Sequence, residues 1–195
     1  MKIEKYPIKK YYDSVKISYI VVHVDLGTEA GTKNHLKNVA SASYHDYVPK
    51  RGGVVIEFVP TKYGAWHAGK VHKPTGKGTT LSMFGNPNRN SYGICLEAAP
   101  VDKNGNKTYN WNIVRDGEMP SESQIQRAAD RIKQHGFENL PVIAHVDITS
   151  YKPKVVRKIV KRIEELLKEK PQSECLANHT VKELVGMLLK KLKMI

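Results

Sequence analysis

What is scarce in this chain of 195 residues narrows it first. There are two cysteines, Cys95 and Cys175, too few for a disulfide framework. Neither has a partner at zinc-finger spacing, and Cys95, inside an apolar run, reads as a small buried hydrophobe. No apolar run approaches the ~18–20 residues that cross a bilayer. The first residues, Met1-Lys2-Ile3-Glu4-Lys5-Tyr6-Pro7, lack the apolar core of a signal peptide, so the expectation is a protein that stays cytoplasmic until something else releases it. Acidic residues are the third scarcity: 19 Asp and Glu face 32 Lys and Arg, a formal net charge of +13. That excess favours a polyanionic partner, whether nucleic acid, anionic membrane or an acidic wall polymer, without choosing among them. The 40% hydrophobic and 26% charged content is that of an ordinary globular chain. The length suits one packed domain with a small appendage.

Short β-branched runs bounded by polar residues read as buried strands: Ile17–Val24, Val54–Val59, Tyr92–Ala98 and Leu140–His145. His35–Ala42 reads as a short helix. Ser121, with Gln124 three residues on, is the signature of a capping box, and the helix it opens runs to Gly136. Lys70–Arg89, rich in Gly, Pro, Thr and Lys, reads as a long surface loop, and Asp102–Asp116 as loop or irregular hairpin. After Pro153 comes a basic amphipathic helix carrying Val155, Ile159, Ile163, Leu166 and Leu167 on one face. A break at Pro171–Asn178 and a last amphipathic helix follow. The expected fold is therefore α/β, a central mixed sheet flanked by helices, with a C-terminal helical appendage whose apolar stripes are most simply packing surfaces. The division expected is residues 1–154 for the main domain and 155–195 for the basic helical extension.

The tripeptide His-Val-Asp occurs twice, at His23-Val24-Asp25 and His145-Val146-Asp147, each time closing an apolar run. Two strand-end histidines could converge on one metal ion, and each Asp, two residues on, would share a face with its His in an extended chain. There the carboxylate could take the second ring N–H and fix the metal-binding tautomer. The plainer alternative is two strand-end histidines hydrogen-bonded to backbone.

Five segments in order then carry a resemblance: Val21-Val22-His23, Ala42-Ser43-Tyr44-His45, Ala65-Trp66-His67-Ala68-Gly69, Asn88-Arg89-Asn90-Ser91-Tyr92-Gly93-Ile94 and Ala144-His145-Val146-Asp147. Together they resemble the zinc-dependent N-acetylmuramoyl-L-alanine amidases of the type-2 amidase and peptidoglycan-recognition superfamily, with the phage endolysin branch the most similar. The resemblance implies a zinc site in a groove on one face of a mixed sheet. It implies hydrolysis of the amide between N-acetylmuramic acid and L-Ala by a zinc-activated water, with peptidoglycan as partner and anionic wall polymers as further ones. By the same resemblance His23 and His145 are zinc ligands. Tyr44 is a hydrogen-bond donor near the metal, and Lys152 stabilises the oxyanion. Trp66, His67, Arg89 and Asn90 line the groove. Cys95 stands where some members carry an acid/base glutamate, and Glu97, two residues on along the strand, is the substitute.

The most important departure from the family's pattern is at the third ligand. A Cys or Asp follows the family's lysine by two residues as third zinc ligand; that register here gives Lys152-Pro153-Lys154, and no Cys, Asp, Glu or His lies between Asp147 and Glu164. Lys154 is cationic at neutral pH and a poor zinc ligand. Three readings stay open: a ligand from elsewhere (Asp147, Asp25, His45, Cys175 or His179), zinc held by two histidines and water, or a peptidoglycan-binding protein that does not cut. A basic nucleic-acid-binding protein is a further alternative, motivated by the +13 charge and the basic helix after Pro153, with no recognition motif beside them.

Overall fold

The structure is a computed structural model and describes residues 1–13, 15–38, 41–82, 85–98, 104, 106, 119–150, 152 and 154–169. Six strands form one mixed sheet: β1 (Lys2–Lys5), β3 (Tyr19–Asp25), β4 (Asp46–Val48), β5 (Val54–Glu57), β7 (Ser91–Glu97) and β8 (Val142–Ala144). Their order is β1-β5-β4-β7-β3-β8, parallel except for β4 against β5. A second sheet pairs β2 (Tyr11–Tyr12) with β6 (Gly64–Ala65). The helices are α1 (Glu29–Asn38), α2 (Lys77–Ser82), α3 (Pro87–Asn90), α4 (Glu122–Gln134), α5 (His145–Ile148) and α6 (Val156–Lys168). The expected α/β architecture, a mixed sheet flanked by helices, is what forms. Among the described residues no helix is long and apolar enough to cross a membrane.

Strand alternation decides which face each layer covers. Ile20 and Val22 of β3, with Val48, Val55, Tyr92, Ile94 and Leu96, point to the face packed by α4 and α6, which contribute Ile125, Ala128, Ile132, Ile159 and Ile163 to the same core. The intervening residues Tyr19 and Val21 point the other way, towards Ala68, Ile143 and Ile148. Leu36 of α1 packs with Tyr47, Ile56, Phe58 and Cys95 on that second face. The helix α6, assigned from sequence to an extension beginning at residue 155, thus belongs to the core of the sheet. The last helix and the break at 171–178 lie outside the described residues, as does nearly all of the 102–116 segment.

Several local expectations shift. The first helix is Glu29–Asn38 rather than 35–42, and it buries only Thr32 and Leu36, too thin an apolar stripe to be read from periodicity. The 70–89 stretch contains α2 and most of α3; Asn86 caps α3, its side chain accepting the Asn88 N–H, with Pro87 in the first turn, where proline suits a helix. The helix α4 forms as expected, with Ser121 and Gln124 in a reciprocal capping box. His145 does not end a strand: β8 stops at Ala144 and His145 opens α5.

A buried ion pair ties α4 to the sheet. Asp46 accepts from Arg131 Nε at 3.0 Å, from Tyr92 Oη at 2.6 Å and from His135 Nε2 at 3.0 Å, while Arg131 also reaches Glu57 at 2.6 Å. Burial works to raise the Asp46 pKa, but these donors outweigh it and hold the carboxyl below its ordinary value. Replacing Asp46 by alanine leaves a buried guanidinium short of its partner, a change that costs about 3–5 kcal/mol in such settings. Urea unfolding of Asp46→Ala is expected to show a loss of that order; a loss under about 1 kcal/mol would mean that the pair behaves like a surface one.

Candidate functional site

The register of two parallel strands builds the site. Val22 of β3 lies opposite Ala144 of β8, and His23 lies opposite Cys95 of β7. The next residue after each of the first pair is a histidine, so His23 and His145 arrive side by side, their ring centroids 4.3 Å apart. They face a pocket of about 230 Å³ lined by Tyr44, Trp66, His67, Ala68 and Lys152 among others. His23 and His145 are 3% and 7% exposed. Burial, then the charges of His145, His67 and Lys152, push the His23 pKa well below 6.5. Burial pulls His145 down to about 4 despite its bond to the Ala68 carbonyl. At neutral pH both rings are therefore uncharged, the form that ligates metal.

The second nitrogens do not meet the aspartates. Asp25 accepts the Gly27 N–H at 3.0 Å and the Thr32 hydroxyl, and Asp147 accepts from Arg157 Nε at 2.9 Å and from the Thr75 hydroxyl at 3.3 Å. The expectation of a His-x-Asp pairing fails for two reasons: α5 turns Asp147 away, and Asp25, although on extended β3, is engaged by Gly27 and Thr32. His23 Nε2 lies 3.0 Å from His67 Nδ1, and His145 Nε2 lies 3.0 Å from the Ala68 carbonyl oxygen. Neither contact was visible in sequence, because both partners sit more than 40 residues away on one loop.

The other expected residues fall in different places. Trp66 and His67 line the pocket; His67 is 5% exposed, with Nε2 on Ser91 O at 3.3 Å. Arg89 is exposed and stacks on Tyr12, whose ring lies 6.0 Å from that of Trp66, so it extends an aromatic ledge leading to the pocket. Asn90 is half-buried and outside the pocket lining. Lys152 lines the pocket, and its partial burial lowers its pKa. Glu97 is buried, accepts the Lys50 N–H at 2.8 Å and is not part of the lining. Tyr44 lines the pocket and packs against His23 with ring centroids 5.2 Å apart. Burial, then the neighbouring Asp25, raises the Cys95 pKa, which keeps it a thiol.

The third-ligand candidates are otherwise occupied or out of view. His45 is fully buried, with Nδ1 accepting the Gly93 N–H at 2.9 Å and Nε2 donating to Tyr63 O at 2.8 Å. Lys154 is exposed. Cys175 and His179 lie outside the described residues, and among the described residues no three His, Cys, Asp or Glu side chains form a metal-holding group. Two neutral, buried imidazoles side by side in a pocket suit a zinc ion; they supply two of the three protein donors such a site uses.

The comparisons agree with this architecture. The family model Amidase_2, described as N-acetylmuramoyl-L-alanine amidase, matches residues 13–162. Among solved structures, PlyL is 18% identical, with 84% of this chain and 98% of that one aligned and a TM-score of 0.52. The catalytic domain of XlyA is 16% identical, covering 86% and 99%, with a TM-score of 0.54. AmpDh3 from Pseudomonas aeruginosa, in complex with an anhydromuramic pentapeptide, is 21% identical, covering 76% and 60%, with a TM-score of 0.50. A search of curated protein sequences finds no match.

The buried histidines make stability depend on pH. His45 has a folded pKa lowered by burial to about 4, while in the unfolded chain it titrates near 6.5. Between these values the unfolded state binds more protons, so stability is full above about pH 6.5 and is lost as pH falls towards 4. His45 alone contributes about 3 kcal/mol to that loss at 1.36 kcal/mol per pH unit. Urea unfolding of the metal-free protein should show the decline over this window, and a flat profile would contradict the burial of these rings.

Proposed function

The chain belongs to the N-acetylmuramoyl-L-alanine amidase family Amidase_2, and on that premise we propose that it hydrolyses peptidoglycan at the amide between the lactyl carboxyl of N-acetylmuramic acid and L-alanine. The observation that carries this reading is the pair of neutral imidazoles, His23 and His145, set beside Lys152 in one pocket. Support for a muropeptide ligand comes from the similar fold of AmpDh3, which holds an anhydromuramic pentapeptide. The positive charge of +13 suits attraction to an anionic wall, and an endolysin acting at the wall after release from the cytoplasm is the setting it fits.

In this reading His23 and His145 hold zinc. A bound zinc supplies Lewis acidity and a water acidified to roughly pKa 7. The chain's own groups do the rest. Lys152, half-buried next to both histidines, places an ammonium where the amide oxygen gains charge, in surroundings that strengthen the attraction. The indole of Trp66 offers an apolar wall to the substrate, and the Arg89–Tyr12 stack continues that surface outward. Tyr44 closes the pocket beside His23.

A second reading, peptidoglycan recognition without cleavage, is favoured by Lys154 standing where the family's third ligand is expected. Metal analysis of the purified protein separates the two. The amidase reading expects about one zinc per chain, lost in His145→Ala together with clearing of purified sacculi. In Lys152→Met zinc should be kept and turnover reduced by roughly 10²–10³-fold, as when one oxyanion partner is removed. Sacculus binding without zinc or clearing would establish the second reading instead.

A further inference from the structure

The short segment Trp66–Ala68 supplies the partner to both histidines of the site, and its bonds have a direction. His67 Nε2 lies 3.3 Å from the Ser91 carbonyl, which can only accept. It also lies 3.2 Å from the Ser91 hydroxyl, whose own proton goes to Pro87 O at 2.6 Å. Both neighbours are acceptors towards His67, so Nε2 carries its hydrogen. The ring is 5% exposed and its partners are a serine and another imidazole, surroundings that hold it as the neutral imidazole, and with hydrogen on Nε2 its lone pair is on Nδ1. That atom faces His23 Nε2 at 3.0 Å. His23 must therefore donate from Nε2, which leaves Nδ1 as its lone-pair nitrogen. On the other side His145 Nε2 faces the Ala68 carbonyl, again an acceptor only, so the lone pair of His145 is on Nδ1 as well.

We infer that Trp66–Ala68 is the element that sets the tautomers of both site histidines, with His67 the positioning residue for His23 rather than a group that touches substrate. The segment is itself held from three sides. Ser43 accepts the Trp66 N–H at 2.8 Å and its own N–H donates to Trp66 O at 3.1 Å. Asn88 Oδ1 accepts the Ala68 N–H at 2.7 Å. Gly93 forms the floor under the imidazole of His67: a Cβ there would lie 2.4–2.7 Å from its ring atoms, so glycine is required for the ring to sit where it does. Ser43, Asn88, Ser91 and Gly93, drawn from two of the segments singled out in the sequence, thus act on the loop formed by a third.

The inference deepens the zinc reading and rests on it only for metal affinity; the tautomers stand without metal. Histidine tautomers are read directly in long-range ¹H–¹⁵N correlation spectra of the full metal-free chain, labelled at histidine, at pH 7. In the wild type, Nε2–H forms are expected for His23, His67 and His145. His67→Ala should turn His23 into a tautomer mixture and leave His145 as Nε2–H, which also reports that the fold is intact. His67→Asn, whose side-chain oxygen stands in for Nδ1, should restore the Nε2–H form of His23. With zinc, competition against a chromophoric chelator should show affinity weakened by roughly 10–100-fold in His67→Ala and recovered in part by His67→Asn. A wild-type His23 protonated on Nδ1, or a His23 signal indifferent to His67→Ala, overturns the inference. A wild type that holds no zinc but shows the expected tautomers overturns the amidase reading alone.

Discussion

Parallel pairing of β3 with β8 in a single register is the constraint on which the rest of the molecule depends. Because Val22 lies opposite Ala144, the residues that follow are neighbours, and both are histidines. A slip of one residue along β8 would send its side chains to the opposite face of the sheet. It would also take Val142 and Ala144 out of the core they share with α4 and α6. Packing on one face and chemistry on the other are therefore fixed together. The same pairing buries the histidines deeply enough to hold them uncharged, so the chemistry follows from the topology.

Around that pair, the molecule uses a loop for precision and a helix for stability. The Trp66–Ala68 segment touches both imidazoles while being anchored to Ser43, Asn88 and the Gly93 floor. On the opposite face Asp46, Arg131, Tyr92 and His135 lock α4 to the sheet. These two polar systems are both buried and both dense in hydrogen bonds, the condition under which buried polar groups rigidify a core. They are linked through β7, where Tyr92 serves the ion pair and its neighbours Ser91 and Gly93 serve the site.

Legibility in the sequence followed locality. The strands β3 and β7 announced themselves by uninterrupted apolar runs, and α4 by Ser121 and Gln124, because burial on both sides and capping are written within a few residues. The helix α1 was displaced because it buries little beyond Leu36. The helices α2 and α3 were hidden in a Gly- and Pro-rich stretch because tertiary contacts, such as the close approach of Gly78 to the Asp147 backbone, hold them more than propensity does. The two His-Val-Asp motifs pointed to the site, but the role given to their aspartates failed, since Asp147 sits in a helical turn and Asp25 is engaged by Gly27 and Thr32. The bonds of His67 to His23 and of His145 to Ala68 join residues far apart in the chain, and no periodicity carries such pairings.

Cys95 and Lys154 stand where the resemblance implies an acid/base glutamate and a third zinc ligand, and both bear on the proposal that the pocket cuts its ligand. The most direct test is product chemistry: purified sacculi incubated with the zinc-supplemented protein, followed by counting of new amino termini and new reducing ends. Release of N-terminal alanine with no increase in reducing sugar is the result expected of a muramoyl–alanine amidase. Absence of new alanine termini, with the protein bound to the sacculi, would contradict the account and leave a recognition protein on this fold.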